Sequence, residues 1–195
     1  GYQAGKESGF EGSSHYLIAC CGMCTFSVME PVANANATTY ASAIMKIILH
    51  YGFCHTVVLD KDSKFFGVCC EALNLLQINC HVLSGANHNP MIVERINRFL
   101  NQGLRIMCNK HDTNRIALEG ILLLIYAWNS CPVPGTDISR SMVAVGREFA
   151  FPIDFSLGKH AKLFSAPGTV ASYSKDLATR LEACRDIAML LVKEQ

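Results

Sequence analysis

The chain has 195 residues, of which 50% are apolar and 17% are charged, and its formal net charge is +1. This composition is typical of a folded domain with a sizeable core; it excludes a disordered tail and argues against a lysine-rich nucleic-acid-binding arm. Any basic surface must be local, because acidic residues elsewhere cancel it in the total.

Ten cysteines could indicate a zinc-binding or a secreted protein, and one long apolar stretch could indicate a membrane protein. The residue patterns of the chain fit none of these three classes. No second C-x-x-C pair follows Cys21 and Cys24 at zinc-ribbon distance, so we predict free, mostly buried thiols in a reducing compartment, nucleus or cytosol. Residues 1–14 lack the apolar segment of a secretion signal. The stretch Ile116–Trp128 is too short to cross a bilayer, so we expect a buried helix there and no membrane association.

The first half of the chain alternates strand and helix patterns. Two short segments, Tyr16–Cys21 and Thr25–Val32, predict a hairpin around Gly22. A helix capped by Thr38 or Thr39 is predicted to stop at Gly52. Further elements are a strand at Thr56–Leu59, a helix around Phe65–Leu76 and a strand near Ile78–Leu83. This alternation predicts an α/β fold with at least one parallel strand pair.

The second half of the chain is mainly helical in pattern. Predicted there are long helices at about Met91–Asn109 and Arg115–Ser130, a short helix after Thr136, an aperiodic linker at Arg147–Pro167 and a helix at Tyr173–Glu194. We therefore divide the chain into a core at 1–130, a turn and irregular linker at 131–168, and a C-terminal helix at 169–195.

Asp60 and Glu94 are the strongest candidates for chemistry. Asp60 follows a strand predicted to be buried, and ligands of open α/β sheets gather at the carboxyl ends of strands. Glu94 lies in the first turns of a predicted helix whose polar and apolar residues occupy opposite faces. The polar stripe consists of Glu94, Asn97, Arg98, Asn101 and Arg105, and the apolar face of Ile92, Ile96, Phe99, Leu100 and Met107.

Two carboxylates beside arginines have a defined chemical use. Mg²⁺ and Mn²⁺ prefer oxygen ligands, and two such ions about 4 Å apart can hold the attacking and leaving oxygens of a phosphodiester in line. Arginines on the same face can contact the phosphate backbone. The alternative interpretation is a surface acid after a strand and an amphipathic helix with a solvated polar face.

Several segments resemble the integrase catalytic cores of retroviruses and LTR retrotransposons. Val58-Leu-Asp60-Lys-Asp-Ser63-Lys-Phe65 is similar to the D-x-G-S-x-F segment around the family's second catalytic Asp, and Glu94-Arg-Ile-Asn97-Arg98 resembles the E-R-x-N-R helix that carries its catalytic Glu. Three later segments resemble the family's A-Y-N, T-G-x-S-P and G-R-x-P motifs in the same order, and they are Ala127–Asn129, Gly135–Ser139 and Val145–Glu148. The resemblance covers roughly Ser14–Asp154.

The resemblance implies a ribonuclease H-like mixed sheet flanked by helices, and metal-dependent strand transfer that joins donor 3′-hydroxyls to target DNA. It implies that Asp60 and Glu94 are catalytic and bind Mg²⁺ or Mn²⁺, and that Asp62, where the family has glycine, lies outside direct metal contact. The expected DNA contacts are Lys61, Lys64, Arg95, Arg98 and Arg105. Also implied are a homo-oligomer and a nuclear or cytoplasmic location.

One departure from the family concerns its first catalytic Asp, which lies on the opening strand. No Asp precedes Asp60 in this chain, and Glu7 and Glu11 do not match the family position. We therefore expect the first strand to be missing and the chain alone to lack strand transfer. Three alternatives stay open: a ribonuclease H-like nuclease that hydrolyses with water, a non-catalytic DNA-binding or assembly module, and an inert remnant of an integrase.

Overall fold

The computed structural model describes residues 15–52, 54–59, 67–82, 91–108, 114–157 and 170–193. Its elements in chain order are β1 (His15–Cys20), β2 (Ser27–Val32), α1 (Ala37–Tyr51), β3 (Thr56–Leu59), α2 (Val68–Leu75), β4 (Asn79–Val82), α3 (Met91–Cys108), α4 (Asn114–Ser130), α5 (Arg140–Val145), α6 (Pro152–Ser156) and α7 (Val170–Lys193). The predicted mixed α/β class is therefore confirmed. None of the described helices combines the length and hydropathy that a membrane-spanning segment needs.

The four strands form two small sheets within the described ranges. β1 and β2 pair antiparallel, with His15 opposite Val32, as the hairpin pattern predicts. β3 and β4 pair parallel, with Thr56 opposite Asn79, so the predicted parallel pair is present. The larger ribonuclease H-like sheet and the missing first strand stay predictions.

Helix α1 begins earlier than predicted. Its N-cap is Asn36, whose side chain accepts a hydrogen bond of 2.8 Å from the backbone N–H of Thr39, so the prediction of Thr38 or Thr39 as the cap was wrong. Asn36 is itself a favoured cap residue, and its position lets it satisfy a free N–H of the first turn. The predicted stop at Gly52 is confirmed, because Gly52 caps the helix with its N–H bonded to the Ile48 carbonyl.

The main core lies around α1. Tyr40, Ile44 and Ile48 on its inner face are buried with Leu59 at the end of β3 and Leu73 of α2. β3 itself is only half covered, because Val58 is exposed, and this corrects the prediction of a buried strand. A strand with one covered face shows this alternation, whereas strands inside a doubly covered sheet do not.

The chain divides into two compact units. The first comprises Gly1–Cys20 with Ser27–Ile125, and the second comprises Cys21–Phe26 with Tyr126–Gln195. The division predicted at residues 130 and 168 stays a prediction.

Aromatic side chains form one centre of the second unit. The Tyr126 ring stacks on Phe149 with centroids 4.9 Å apart, and its hydroxyl donates to the Ala150 carbonyl. Phe151 meets the Tyr126 ring edge-on. Helix α6 lies inside the segment predicted to be an irregular linker, because the Asp154 carboxylate accepts from the Phe151 N–H and closes the first turn.

Candidate functional site

Helix α3 buries one face and exposes the other. Ile96, Leu100 and Leu104 are 0%, 1% and 3% exposed, whereas Glu94 and Arg98 are exposed. Residues three and four positions apart share a helix face, so this burial follows directly from the apolar spacing. The predicted opposition of an apolar back and a polar front is confirmed.

The polar front of α3 forms an open depression of about 600 Å³, which we call the α3 polar face. The described residues that line it are Glu94, Asn97, Arg98, Asn101, Gln102 and Arg105. Gln102 was not among the residues selected from the sequence, although its eight-residue spacing from Glu94 puts it about 80° away on the helix. Arg95 is exposed but does not line the depression, since it lies about 100° from Glu94.

The charges of this face are arranged along the helix axis. Glu94 occupies the first turn and Arg105 the last, which is the favourable order for a helix whose N-terminal end is partially positive. No described carboxylate pairs with Arg98 or Arg105, and the ion pair found among the described residues joins Lys46 to Glu30 elsewhere. Both guanidinium groups therefore keep donors available for an anionic ligand.

Asp60 lies outside the described residues, as do Lys61, Asp62 and Lys64. The structure places the residue before Asp60, the buried Leu59, at the carboxyl end of β3. The approach of Asp60 to Glu94 therefore stays a prediction.

The donor chemistry agrees with a hard divalent cation. Glu94 offers carboxylate oxygens at an exposed position, and Mg²⁺ is commonly bound through one or two carboxylates with water and substrate phosphate. Among the described residues, no group of three or more His, Cys, Asp and Glu could hold a metal ion.

The later motif segments contribute to the buried interior of the second unit. Trp128 is 8% and Asn129 3% exposed, and the Trp128 indole donates to the Thr25 carbonyl at 2.9 Å. Ser139 caps α5 by accepting from the Met142 N–H. These positions maintain packing and helix ends.

No family model matches the chain, but it is similar to a known protein in sequence and to solved structures in fold. The Retrovirus-related Pol polyprotein from transposon 412 of Drosophila melanogaster is 28% identical over 107 residues, which are 53% of this chain and 9% of that protein. A chain of the simian T-cell lymphotropic virus intasome, solved in complex with PP2A regulatory subunit B56 gamma, aligns with a TM-score of 0.60 and 13% identity over 70% of this chain and 52% of its own length. The HTLV-2 integrase catalytic core domain in complex with magnesium, a trimeric form, aligns with a TM-score of 0.54 and 14% identity over 65% of this chain and 82% of its own length.

Proposed function

We propose that this chain, which has the fold of retroviral integrase catalytic cores and is similar in sequence to a retrotransposon Pol polyprotein, is the core region of an LTR-retrotransposon integrase. Its function would be DNA integration, the joining of donor 3′-hydroxyls to target DNA. The observation that carries the proposal is the α3 polar face, which presents Glu94, Arg98 and Arg105 on a helix with a buried back.

In this proposal Asp60 and Glu94 share the binding of Mg²⁺ or Mn²⁺. When bound, two such ions would hold the attacking and leaving oxygens of the phosphodiester and stabilise the developing charge. Glu94 is suited to this role because it is exposed and projects from a helix that packing holds in place.

Arg98 and Arg105 would bind the DNA backbone beside the carboxylates. Both lie on the face of Glu94, and a guanidinium can donate two parallel hydrogen bonds to one phosphate. Such contacts fix the position of DNA without reading its sequence. Lys61, Lys64 and Arg95 are proposed as further contacts, and the partners are donor and target DNA bound by a homo-oligomer in the nucleus or cytoplasm.

Only two of the family's three carboxylate positions are matched by residues of this chain. A two-metal site needs carboxylate oxygens for each ion, so we propose that the 195 residues alone bind metal weakly and do not perform robust strand transfer. A ribonuclease H-like sheet that includes the family's opening strand would complete the site.

The test compares this polypeptide with one extended upstream through the opening strand, using a processed donor end and Mg²⁺ or Mn²⁺. Strand transfer is expected in the extended protein alone, and Asp60→Asn or Glu94→Gln should abolish it. Glu71→Gln is the matched control, because Glu71 is an exposed carboxylate in the first turn of α2, as Glu94 is in α3.

Other outcomes would identify the alternatives. Equal strand transfer in both polypeptides would contradict an incomplete site. Cleavage by water without joining would indicate a nuclease. DNA binding without either reaction would favour the non-catalytic module, in which Arg98 and Arg105 would still bind the DNA backbone.

A further inference from the structure

A C-x-x-C sequence occupies the turn between β1 and β2. Cys21 is exposed, whereas Cys24 is 1% exposed. The turn is closed by two backbone hydrogen bonds, from the Thr25 N–H to the Cys21 carbonyl at 3.0 Å and from the Cys21 N–H to the Phe26 carbonyl at 2.8 Å. One cysteine of the turn is therefore accessible to solvent and the other is covered.

The sulfur of Cys21 is surrounded by hydrogen-bond donors and a positive charge. The Cys24 thiol donates to it, the backbone N–H groups of Cys24 and Met23 also donate, and Arg185 of α7 adds its charge. Together these groups, the Cys24 thiol first among them, lower the pKa of Cys21 to about 5 against the opposing effect of burial. The same thiol–thiol hydrogen bond, followed by burial, raises the pKa of Cys24.

Side chains of the second unit hold the turn in this shape. Thr25 has a φ of 58°, a left-handed conformation that is uncommon for a β-branched residue. Its carbonyl accepts from the Trp128 indole at 2.9 Å and its hydroxyl accepts from the Arg140 guanidinium at 2.6 Å. These bonds hold the backbone of the turn that carries both cysteines.

We propose that Cys21 and Cys24 form a redox-active dithiol that exchanges with low-molecular-weight disulfides such as glutathione disulfide. The proposal does not rest on the integrase function. An exposed nucleophile followed by a buried partner in one turn is the arrangement that such exchange requires, because the partner resolves the mixed disulfide.

The exchange has two steps. The Cys21 thiolate attacks one sulfur of glutathione disulfide, the S–S bond breaks, and one glutathione leaves as its thiolate. The Cys24 thiol then loses its proton to that thiolate and attacks the Cys21 sulfur, which releases the second glutathione. The protein loses two electrons and the proton of Cys24, and glutathione disulfide becomes one glutathione thiol and one glutathione thiolate, which takes a proton from water.

A second pair of thiols shows that two nearby sulfurs are not by themselves enough for fast disulfide exchange. Cys70 and Cys80 lie 3.0 Å apart at their sulfurs, and both are half-buried. Burial first, and then the hydrogen bond with Cys70, raise the pKa of Cys80 to about 11, so it holds its proton at neutral pH. Because the thiolate is the attacking species, Cys80 should react more slowly than Cys21.

The first experiment equilibrates the full chain with glutathione and its disulfide at several ratios, traps free thiols by alkylation and maps the linkages by peptide mass spectrometry. A Cys21–Cys24 linkage should form before a Cys70–Cys80 linkage. Cys21→Ser and Cys24→Ser should abolish it, and Cys20→Ser should leave it unchanged. Absence of the linkage at every ratio, or its replacement by an equally abundant Cys20–Cys24 linkage in Cys21→Ser, would overturn the proposal.

The second experiment uses the unsubstituted protein and therefore does not depend on folded variants. At pH 6 a thiol of pKa about 5 is about 90% thiolate and an ordinary thiol is below 1%, but the lower intrinsic nucleophilicity of the acidic thiolate offsets much of this difference. Alkylation of Cys21 by iodoacetamide at pH 6 should therefore be about five- to tenfold faster than alkylation of a model peptide thiol. A rate that follows the model thiol from pH 5 to pH 9 would contradict an activated Cys21.

Discussion

The guanidinium carbon of Arg140 lies 4.1 Å from the centre of the Trp128 ring. The same side chain donates to the carbonyls of Trp128 and Cys131 at 3.2 and 3.0 Å and to the Thr25 hydroxyl, and Arg140 is 4% exposed. One buried arginine thus joins the end of α4, the start of α5 and the Cys21–Phe26 turn, all within the second unit.

Arg140→Ala is expected to lower the free energy of unfolding by about 2–4 kcal/mol, because it removes a stacked cation and leaves buried oxygen acceptors without donors. Arg140→Lys should lose part of this amount, since an ammonium cannot stack and reach several acceptors at once. Urea unfolding followed by the fluorescence of Trp128, the one tryptophan of the chain, measures both. The exposed Arg180 is the control, and its replacement by Ala should change the value by less than about 0.5 kcal/mol. Equal effects of Arg140→Ala and Arg180→Ala would show that the buried contacts contribute nothing.

Replacing Gly146 and Gly135 by Ala distinguishes the cost of backbone strain from the cost of steric contact. Both have positive φ, 73° and 81°, but an added Cβ would lie 2.6 Å from Leu177 Cδ1 at Gly146 and meets nothing within 4 Å at Gly135. Gly135→Ala should therefore destabilise by about 1–2 kcal/mol from strain alone, and Gly146→Ala by a further 1–3 kcal/mol or so. Urea unfolding followed by Trp128 fluorescence measures both variants. Equal losses in the free energy of unfolding would mean that α7 moves away from α5 at no cost.

DNA affinity should decrease with salt, and the arginines of the α3 polar face should account for part of that dependence. Replacing Arg98 and Arg105 by Ala should reduce the slope of log K against log salt by about 1.8 in magnitude, or about 0.9 for each phosphate that is no longer bound. Fluorescence anisotropy with a labelled duplex between about 50 and 200 mM salt measures the slope. The Arg147→Ala, Arg180→Ala double variant has the same net charge and should retain the original slope. A reduced slope in both double variants would indicate a general charge effect without a specific DNA-binding face.

Stability should depend on pH through Cys21. The pKa of Cys21 is lowered to about 5 in the folded chain, so between pH 5 and 9 the folded state holds fewer protons than the unfolded state. Stability from this group is present above the unfolded pKa and is lost as pH decreases towards 5. Urea midpoints measured between pH 5 and 8 should increase with pH, and the increase should be smaller in Cys21→Ser. Identical pH profiles would contradict the lowered pKa.

Local periodicity made much of α3 predictable. Apolar residues three and four positions apart predicted the buried back of the helix, and Ile96 and Leu100 occupy it. The cap of α1 was harder to predict, because Asn34, Asn36, Thr38 and Thr39 are all suitable residues, and the Asn36 bond to Thr39 decides among them.

Long-range contacts were not predictable from the sequence alone. Charged residues are usually exposed, and Arg140 is buried because its acceptors lie as far as 115 positions away along the chain. The lowered pKa of Cys21 has mainly local causes, the hydrogen bonds from the Cys24 thiol and from the N–H groups of Cys24 and Met23, and the charge of the distant Arg185 adds to them. The C-x-x-C spacing can be read from the sequence, but the exposure of each cysteine cannot.

The parallel pairing of β3 with β4 determines how β3, α2 and β4 unfold locally. Within the described ranges the pair has no third strand, and a two-stranded sheet is marginal on its own. Its stability depends on α2, the helix between the two strands, whose Leu73 is 1% exposed in the core around α1. Amide hydrogens of β3, α2 and β4 should therefore exchange with solvent water as one cooperative unit.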